Sequence, residues 1–405
     1  LLYGNMSEIR STLGASGIKV PGTAGETSEA LFDQYGIPSL IMADGPAGIR
    51  LQQTYEVDRE KDTVYGTGVL GSLENGYLVG RKDHEGAERY YQYCTAFPVG
   101  TALAQSWNKK LMEQFGRKVA AEMEEFHINL WLAPGLNIHR NPLCGRNFEY
   151  MSEDPHLTGR MAAPLVQGIQ SQDVAACVKH FALNNQECDR LSVDTKVDDK
   201  TLFELYLPAF YDALMEGGSY SVMGAYNKYD GEFCCENATL LKKILRDLWH
   251  YDGVTISDWG GVHNTEKTAL NGVDMEMSVT PDFDDYKLAN PLLEKVKSGK
   301  IDESVIDERI ERILTMMERI KLGDKTRNKG CTNTKEHQQT IQEIAEEGIV
   351  LLKNDTAHLP LSKETKKILV LGDNAKRTHA AGGGSAEIKA LYDISPMLGM
   401  RMVPG

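Results

Sequence analysis

The stretch Tyr251-Asp-Gly-Val-Thr-Ile-Ser-Asp258-Trp259-Gly260-Gly261 reads as a short buried strand that stops at a carboxylate, a tryptophan and two glycines. Val254, Thr255 and Ile256 are residues that a covered parallel strand prefers, and the glycines let the backbone turn away sharply. That places Asp258 at the C-terminal mouth of the strand. In barrels of alternating strands and helices the catalytic side chains sit at this end, so Asp258 is taken as the reactive centre.

Other strands end in polar chemistry too. Leu40 to Ala43 runs into Asp44-Gly-Pro, where Asp44 taken alone is also a common turn residue. Asn129 to Ala133 runs into a long polar loop, Pro134 to Pro155, that holds His139, Arg140, Arg146, Glu149, Glu153 and Asp154 beside Phe148 and Tyr150. Charged, bidentate groups next to aromatic rings suit a polyol, because a sugar presents hydroxyl fans above flat apolar faces. Ala175 to Val178 leads to Lys179-His180 and the amides Asn184-Asn185, and Ser219 to Ala225 leads to Tyr226-Asn227. Val273 to Met277 is a further candidate strand.

Helical patterns fill the gaps, over 108–125 with Asn108 as the cap, then 157–171, 200–215, 238–249, 265–271, 290–298 and 302–321. Ile306, Ile310, Ile313, Met317 and Ile320 in the last form a packing stripe. The recurring strand and helix predict an α/β fold, a closed (β/α)8-type TIM barrel over 1–322 with a charged, tyrosine-rich insertion at 51–94. Residues 323–340 read as a polar linker. Residues 341–405 read as the N-terminal part of an α/β sandwich domain, incomplete in this chain, with a helix at 340–347, the apolar run 349–352, and 367–373 as its first buried strand. Gly382-Gly-Gly-Ser385 lacks the glycine spacing of a dinucleotide fingerprint.

Composition sets outer bounds. With 405 residues, 41% hydrophobic and 25% charged, the chain can bury one large core and part of a second. A net charge of −14 argues against a nucleic-acid partner, which needs a cationic face. No apolar run approaches the roughly 20 residues that cross a bilayer, so no membrane partner is expected. Seven cysteines without a CxxC pair read as free thiols, against a disulfide framework and a structural zinc site. They favour a cytoplasmic or periplasmic location over a secreted, disulfide-rich one.

Taken together, ADGPAGIR (43–50), GLNIHRNPLCGRNFEYMSEDPHLTGR (135–160), VKHFALNNQE (178–187), MGAYN (223–227), ISDWGGVH (256–263) and LLKNDTAHLPL (351–361) closely resemble glycoside hydrolase family 3, chiefly its β-glucosidase branch. The resemblance implies a barrel followed by an α/β sandwich, with a retaining hydrolase site between them. It implies that Asp258 is the nucleophile and that Asp44, Arg146, Lys179 and His180 hold hydroxyls of the sugar at the cleavage point. It also implies that Tyr226 and Trp259 border that sugar, with Met223 and Glu149 as further members. The resemblance puts the family's acid/base glutamate deep in the sandwich, past where this sequence stops, so no acid/base is assigned here: either a C-terminal segment is missing, or a companion C-terminal segment on another polypeptide completes the sandwich. Ala182 to Glu187 replaces the Gly- and His-rich loop of the N-acetylglucosaminidase branch.

A retaining glycosidase needs one ionised carboxylate to attack the anomeric carbon and a second carboxyl group about 5 to 5.5 Å away. Lys179 and Arg146 are expected to favour the ionised form of Asp258. No metal or organic cofactor is required, because both steps use carboxyl groups and water. The expected function is an exo-acting β-glucosidase releasing terminal β-D-glucosyl residues from a β-glucoside or oligosaccharide such as cellobiose. The rivals are a β-xylosidase, a sugar-binding half of a two-piece enzyme, and a Schiff-base lyase using Lys179. The 51–94 insertion prompts the expectation of a homodimer.

Overall fold

The computed structural model describes residues 20–65, 83–278, 282, 284–380 and 383–403. The start of the barrel range, the middle of the 51–94 insertion and Gly382 lie outside the described residues. Six strands form the main sheet: β1 (Gly25–Glu26), β2 (Ile41–Ala43), β3 (Leu130–Trp131), β4 (Ala175–Phe181), β5 (Ser221–Gly224) and β6 (Val254–Ile256), side by side in chain order. β1 is antiparallel to β2, and every later pairing is parallel. A single parallel bridge from Ile256 to Met275 adds the segment read as a further strand. Among the described residues the sheet is an open six-stranded arc rather than the closed ring of eight that the sequence led us to expect.

Alternation along the strands divides the core in two, as a period of two requires. Leu40, Met42, Leu130, Leu132, Cys177, Met223, Val254 and Ile256 face one side, where Ile313, Met316, Met317 and Ile320 of helix Ser304–Arg319 join them. Ile41, Ala43, Trp131, Ala176, Val178 and Val222 face the other. Helices Lys109–Glu125 and Pro155–Gln170 cover that second face. Asn108 caps the first through the N–H groups of Lys110 and Leu111, and Asp154 caps the second through that of His156. The two helices touch backbone to backbone, since a Cβ on Gly116 would stand 2.5 Å from the Leu165 carbonyl oxygen.

Two expectations for the second half are corrected. The helix placed at 340–347 runs from Lys335 to Gly348, because the Thr334 side chain accepts the His337 N–H and caps it inside the stretch read as a linker. Just before it, Thr332 Oγ1 and the Asn333 N–H both donate to the buried Glu122. The run read as a buried strand at 367–373 forms no strand, and neither does 349–352, among the described residues. Leu352 is 91% and Leu369 80% exposed. Strand propensity there is real, but a strand needs ladder partners, and the described residues offer it none. The end of the chain does touch the barrel: the Cys94 N–H donates to the Lys389 carbonyl at 3.0 Å, and Ile388 is buried in the same core cluster as Ile49 and Phe97. In the insertion, Thr54–Asp58, Thr63–Tyr65 and Glu88–Tyr91 form a separate antiparallel sheet.

Candidate active site

Asp258 stands two residues past the end of β6 and is buried. Its Oδ1 accepts the Trp259 N–H at 2.9 Å, while Oδ2 is buried without an ordinary hydrogen-bond partner among the described residues. A buried carboxylate oxygen left this way is costly, and native structures keep such atoms mainly where chemistry uses them. His180 Nε2 lies 3.8 Å from this oxygen. The Tyr226 phenol faces the same carboxylate.

The end of β4 brings in the next groups. Backbone hydrogen bonds in both directions with the Asn137 side chain, at 2.9 and 3.0 Å, lock His180 in place. Arg146 Nη2 reaches His180 Nε2 at 3.1 Å and Glu149 at 2.5 Å. Tyr150 Oη lies 3.2 Å from His180 Nδ1. Since an arginine can only donate, His180 Nε2 accepts, and its proton sits on Nδ1 facing Tyr150. Burial holds the His180 pKa well below the usual value, helped by Arg146, Lys179 and Arg190, so the ring is neutral. Lys179 Nζ donates to Asp44 Oδ1 at 2.7 Å. Burial opposes ionisation of Asp44, but Lys179 and Arg50 outweigh it and hold its pKa below the usual range.

For Asp258 the balance goes the other way. Burial raises its pKa, and the lowering pull of Arg146, Lys179, the Trp259 N–H and Tyr226 does not overcome it. The expectation that the two cations would favour its ionised form is therefore half correct: they pull in that direction and lose to desolvation.

Asp258, Arg146, His180 and Tyr226 thus converge, with the Lys179–Asp44 pair beside them. Trp259 follows directly, its indole Nε1 buried and without a hydrogen-bond partner among the described residues. Met223 is enclosed in the core, opposite Ile256 in the β5–β6 register. Glu149 is committed to Arg146. The sequence reading passed over Arg50, which closes the quoted ADGPAGIR motif, and over Arg190, three residues past Glu187. Arg190 lies 4.9 Å above the Tyr226 ring and pairs with Glu187 at 2.7 Å. Among the described residues no group of three or more His, Cys, Asp or Glu side chains is arranged to hold a metal.

Residues 73–316 match the model described as glycosyl hydrolase family 3 N terminal domain, and 349–404 match that of the family 3 C-terminal domain. The chain belongs to glycosyl hydrolase family 3. Family 3 N-terminal domains have a TIM-barrel-like fold, of which the six-stranded arc shows about half. "Beta-glucosidase BoGH3A" of Bacteroides ovatus is 39% identical over 392 residues, covering 93% of this chain and 49% of that protein. "Thermostable beta-glucosidase B" of Acetivibrio thermocellus is 38% identical over 357 residues, covering 88% and 43%. The solved structure of beta-glucosidase 3B from Thermotoga neapolitana in complex with glucose aligns with a TM-score of 0.83 at 36% identity, covering 99% of this chain and 52% of that one. The chain spans about half the length of the curated relatives it matches.

Proposed function

We propose that this chain carries the nucleophile and the sugar-gripping groups of a retaining, exo-acting β-glucosidase, with residues 1–322 as the barrel unit and 341–405 as the beginning of a sandwich unit. The observation that carries the reading is the buried Asp258 Oδ2, left without an ordinary hydrogen bond at the mouth of a parallel strand and ringed by Arg146, His180 and Tyr226. In this reading Oδ2 attacks C1 of a terminal β-D-glucosyl residue and forms a glycosyl ester, which water later hydrolyses. The Lys179–Asp44 pair and the neutral His180 grip ring hydroxyls, and contacts that tighten as the ring flattens lower the barrier.

The acid/base is proposed to come from polypeptide outside this sequence. A general acid must carry a proton, yet Asp44, Glu149 and Glu187 are each ion-paired with a lysine or arginine. The same observation favours a second reading, a sugar-binding half that needs a companion segment before it turns over substrate. The Lys179 ammonium is engaged with Asp44, unlike the free amine that Schiff-base chemistry requires.

A substrate that needs no acid separates these readings. 2,4-Dinitrophenyl 2-deoxy-2-fluoro-β-D-glucoside has a leaving group that departs unprotonated, so the first step should give one equivalent of dinitrophenolate and a fluoroglucosyl adduct on Asp258. Glucose binding without any adduct would support the binding half alone. An adduct on another residue would overturn the assignment of Asp258.

A further inference from the structure

We propose that Asn137 is a positioning residue for sugar binding: its side-chain amide stands in for a strand partner that His180 lacks, and so aims the imidazole into the site beside Lys179. This rests on the reading above, in which His180 grips a sugar hydroxyl, and names the residue on which that grip depends.

Strand periodicity would set Lys179 and His180 apart, because adjacent strand residues point to opposite faces. Cys177 lies in the core of one face of the sheet, and Ala176 and Val178 lie in the core of the other. A strict period of two would return Phe181 to the Cys177 side. Phe181 packs instead in the opposite core, with its ring 5.3 Å from that of Phe210 and 6.0 Å from that of Trp249. The phase slips in between, where the β4–β5 register jumps from Val178–Val222 to Phe181–Gly224 and leaves Lys179 and His180 opposite Met223 alone. Such a bulge re-aims a side chain and takes backbone groups out of the ladder. Counted inward from Cys177 and from Phe181, Lys179 and His180 both face the Cys177 side.

The two residues find different backbone partners. The Lys179 N–H donates to the Pro134 carbonyl at 3.0 Å, and its carbonyl accepts the Leu136 N–H at 2.7 Å. For His180 the partner is a side chain. Asn137 Oδ1 accepts the His180 N–H at 2.9 Å, and Asn137 Nδ2 donates to the His180 carbonyl at 3.0 Å. A carboxamide presents one acceptor and one donor side by side, as the peptide group of a neighbouring strand would. Asn137 is buried, so its amide is shielded from competing water. The imidazole held in this way has Nε2 3.1 Å from Arg146 Nη2 and 3.8 Å from Asp258 Oδ2. Asn137 therefore sets the direction of His180 from behind, while main-chain bonds hold Lys179.

The test is a double-mutant cycle on this chain, with glucose affinity measured by titration calorimetry. N137A should weaken glucose binding about tenfold, the upper scale of one neutral hydrogen bond. In an H180A background, which already binds glucose weakly, the same change should cost less than about twofold more, because the side chain that Asn137 aims is gone. N137D is a second variant, available for the same cycle if N137A fails to fold. Its carboxyl group keeps both donor and acceptor when protonated and loses the donor when ionised. Its affinity relative to wild type should be about tenfold down at pH 8 and recover towards pH 5, since burial raises a carboxyl pKa. An equal loss in both backgrounds would make Asn137 merely structural and overturn the proposal. Wild-type affinity in N137A, or in N137D at pH 8, would overturn it too. Glucose binding by H180A as tight as wild type would instead sink the reading of His180 as a sugar contact, and a wild-type chain that binds no glucose would sink the active-site reading itself.

Discussion

Lys179 Nζ donates to Asp44 Oδ1 at 2.7 Å, joining residues 135 positions apart in the chain. β3 lies between the strands that carry them, so the pair bridges the strand ends across the mouth of the sheet. Both side chains are almost completely buried. Breaking a buried pair by removing one partner leaves a charge without compensation, which typically costs about 3 to 5 kcal/mol.

Lys179→Met should therefore destabilise the chain by roughly 3 kcal/mol at neutral pH in urea unfolding. Asp44 has a folded pKa below its unfolded value of 3.8, so the stability it contributes is present above pH 3.8 and is lost as pH falls through the folded value. The deficit of the variant should accordingly narrow on acidification below pH 3.8. A deficit that is independent of pH would mean that lost packing of the lysine stem, not the charge pair, is responsible.

Asp258→Asn should abolish the fluoroglucosyl adduct and yet stabilise the fold. The folded pKa of Asp258 is raised above 3.8, so ionising it opposes folding, and wild-type stability falls as pH rises from the unfolded value through the folded one. The amide carries no such burden. A gain on the order of 1 kcal/mol is expected at pH 7, vanishing below pH 3.8, where both side chains are neutral. Melting temperatures measured across that range check it, and a less stable variant at pH 7 would show that Asp258 is better compensated than its surroundings indicate.

Glu276 offers a second titration, between two residues whose carbonyls accept from the Ser257 and Gly260 N–H groups. Burial pushes its pKa from 4.5 up to about 7, although its Oε2 accepts the Leu288 N–H at 2.7 Å. Its contribution is fully present below pH 4.5 and is lost as pH rises through about 7. One pKa unit is worth about 1.4 kcal/mol, so Glu276→Gln, which can still accept from Leu288, should be more stable than wild type by at most roughly 3 kcal/mol at pH 8. At pH 4 the two should unfold alike. Equal stability at both pH values would mean that the carboxylate is solvated when ionised.

The polar side chains that sequence alone revealed are those that directly follow an apolar run. Asp44, Tyr226 and Asp258 follow a strand by one or two residues, Lys179 and His180 lie among the last three residues of β4, and strand direction then dictates that they share one rim. Arg50, Asn137 and Arg190 join them only through loop geometry, which no local periodicity encodes. Depth was also illegible: the cations near Asp258 can be read in the sequence, but the desolvation that outweighs them cannot. Thr334 was missed because a cap inside a polar stretch looks like linker. The run at 367–373 failed for the opposite reason, since its local propensity fits a strand whose partners are not local.

The helix pair behind the site gives a prediction decided by sign. Gly116 lies inside Lys109–Glu125, where helix propensity alone makes Gly→Ala stabilising by about 1 kcal/mol. Packing says the reverse. The new Cβ would stand 2.5 Å from the Leu165 carbonyl oxygen and 2.8 Å from the Ile169 nitrogen, both backbone atoms of the facing helix, so the two helices must separate. Overpacking of this kind costs about 1 to 3 kcal/mol, enough to reverse the propensity gain. Gly145 is the control, with no atom within 4 Å of its added Cβ, and its alanine variant should stay within about 0.5 kcal/mol of wild type. Helix Pro155–Gln170 leads directly into β4, which carries Lys179 and His180, so Gly116→Ala should also slow formation of the fluoroglucosyl adduct. Urea unfolding that shows Gly116→Ala to be as stable as wild type or more so would refute the close helix contact and, with it, the route by which this packing holds the site in register.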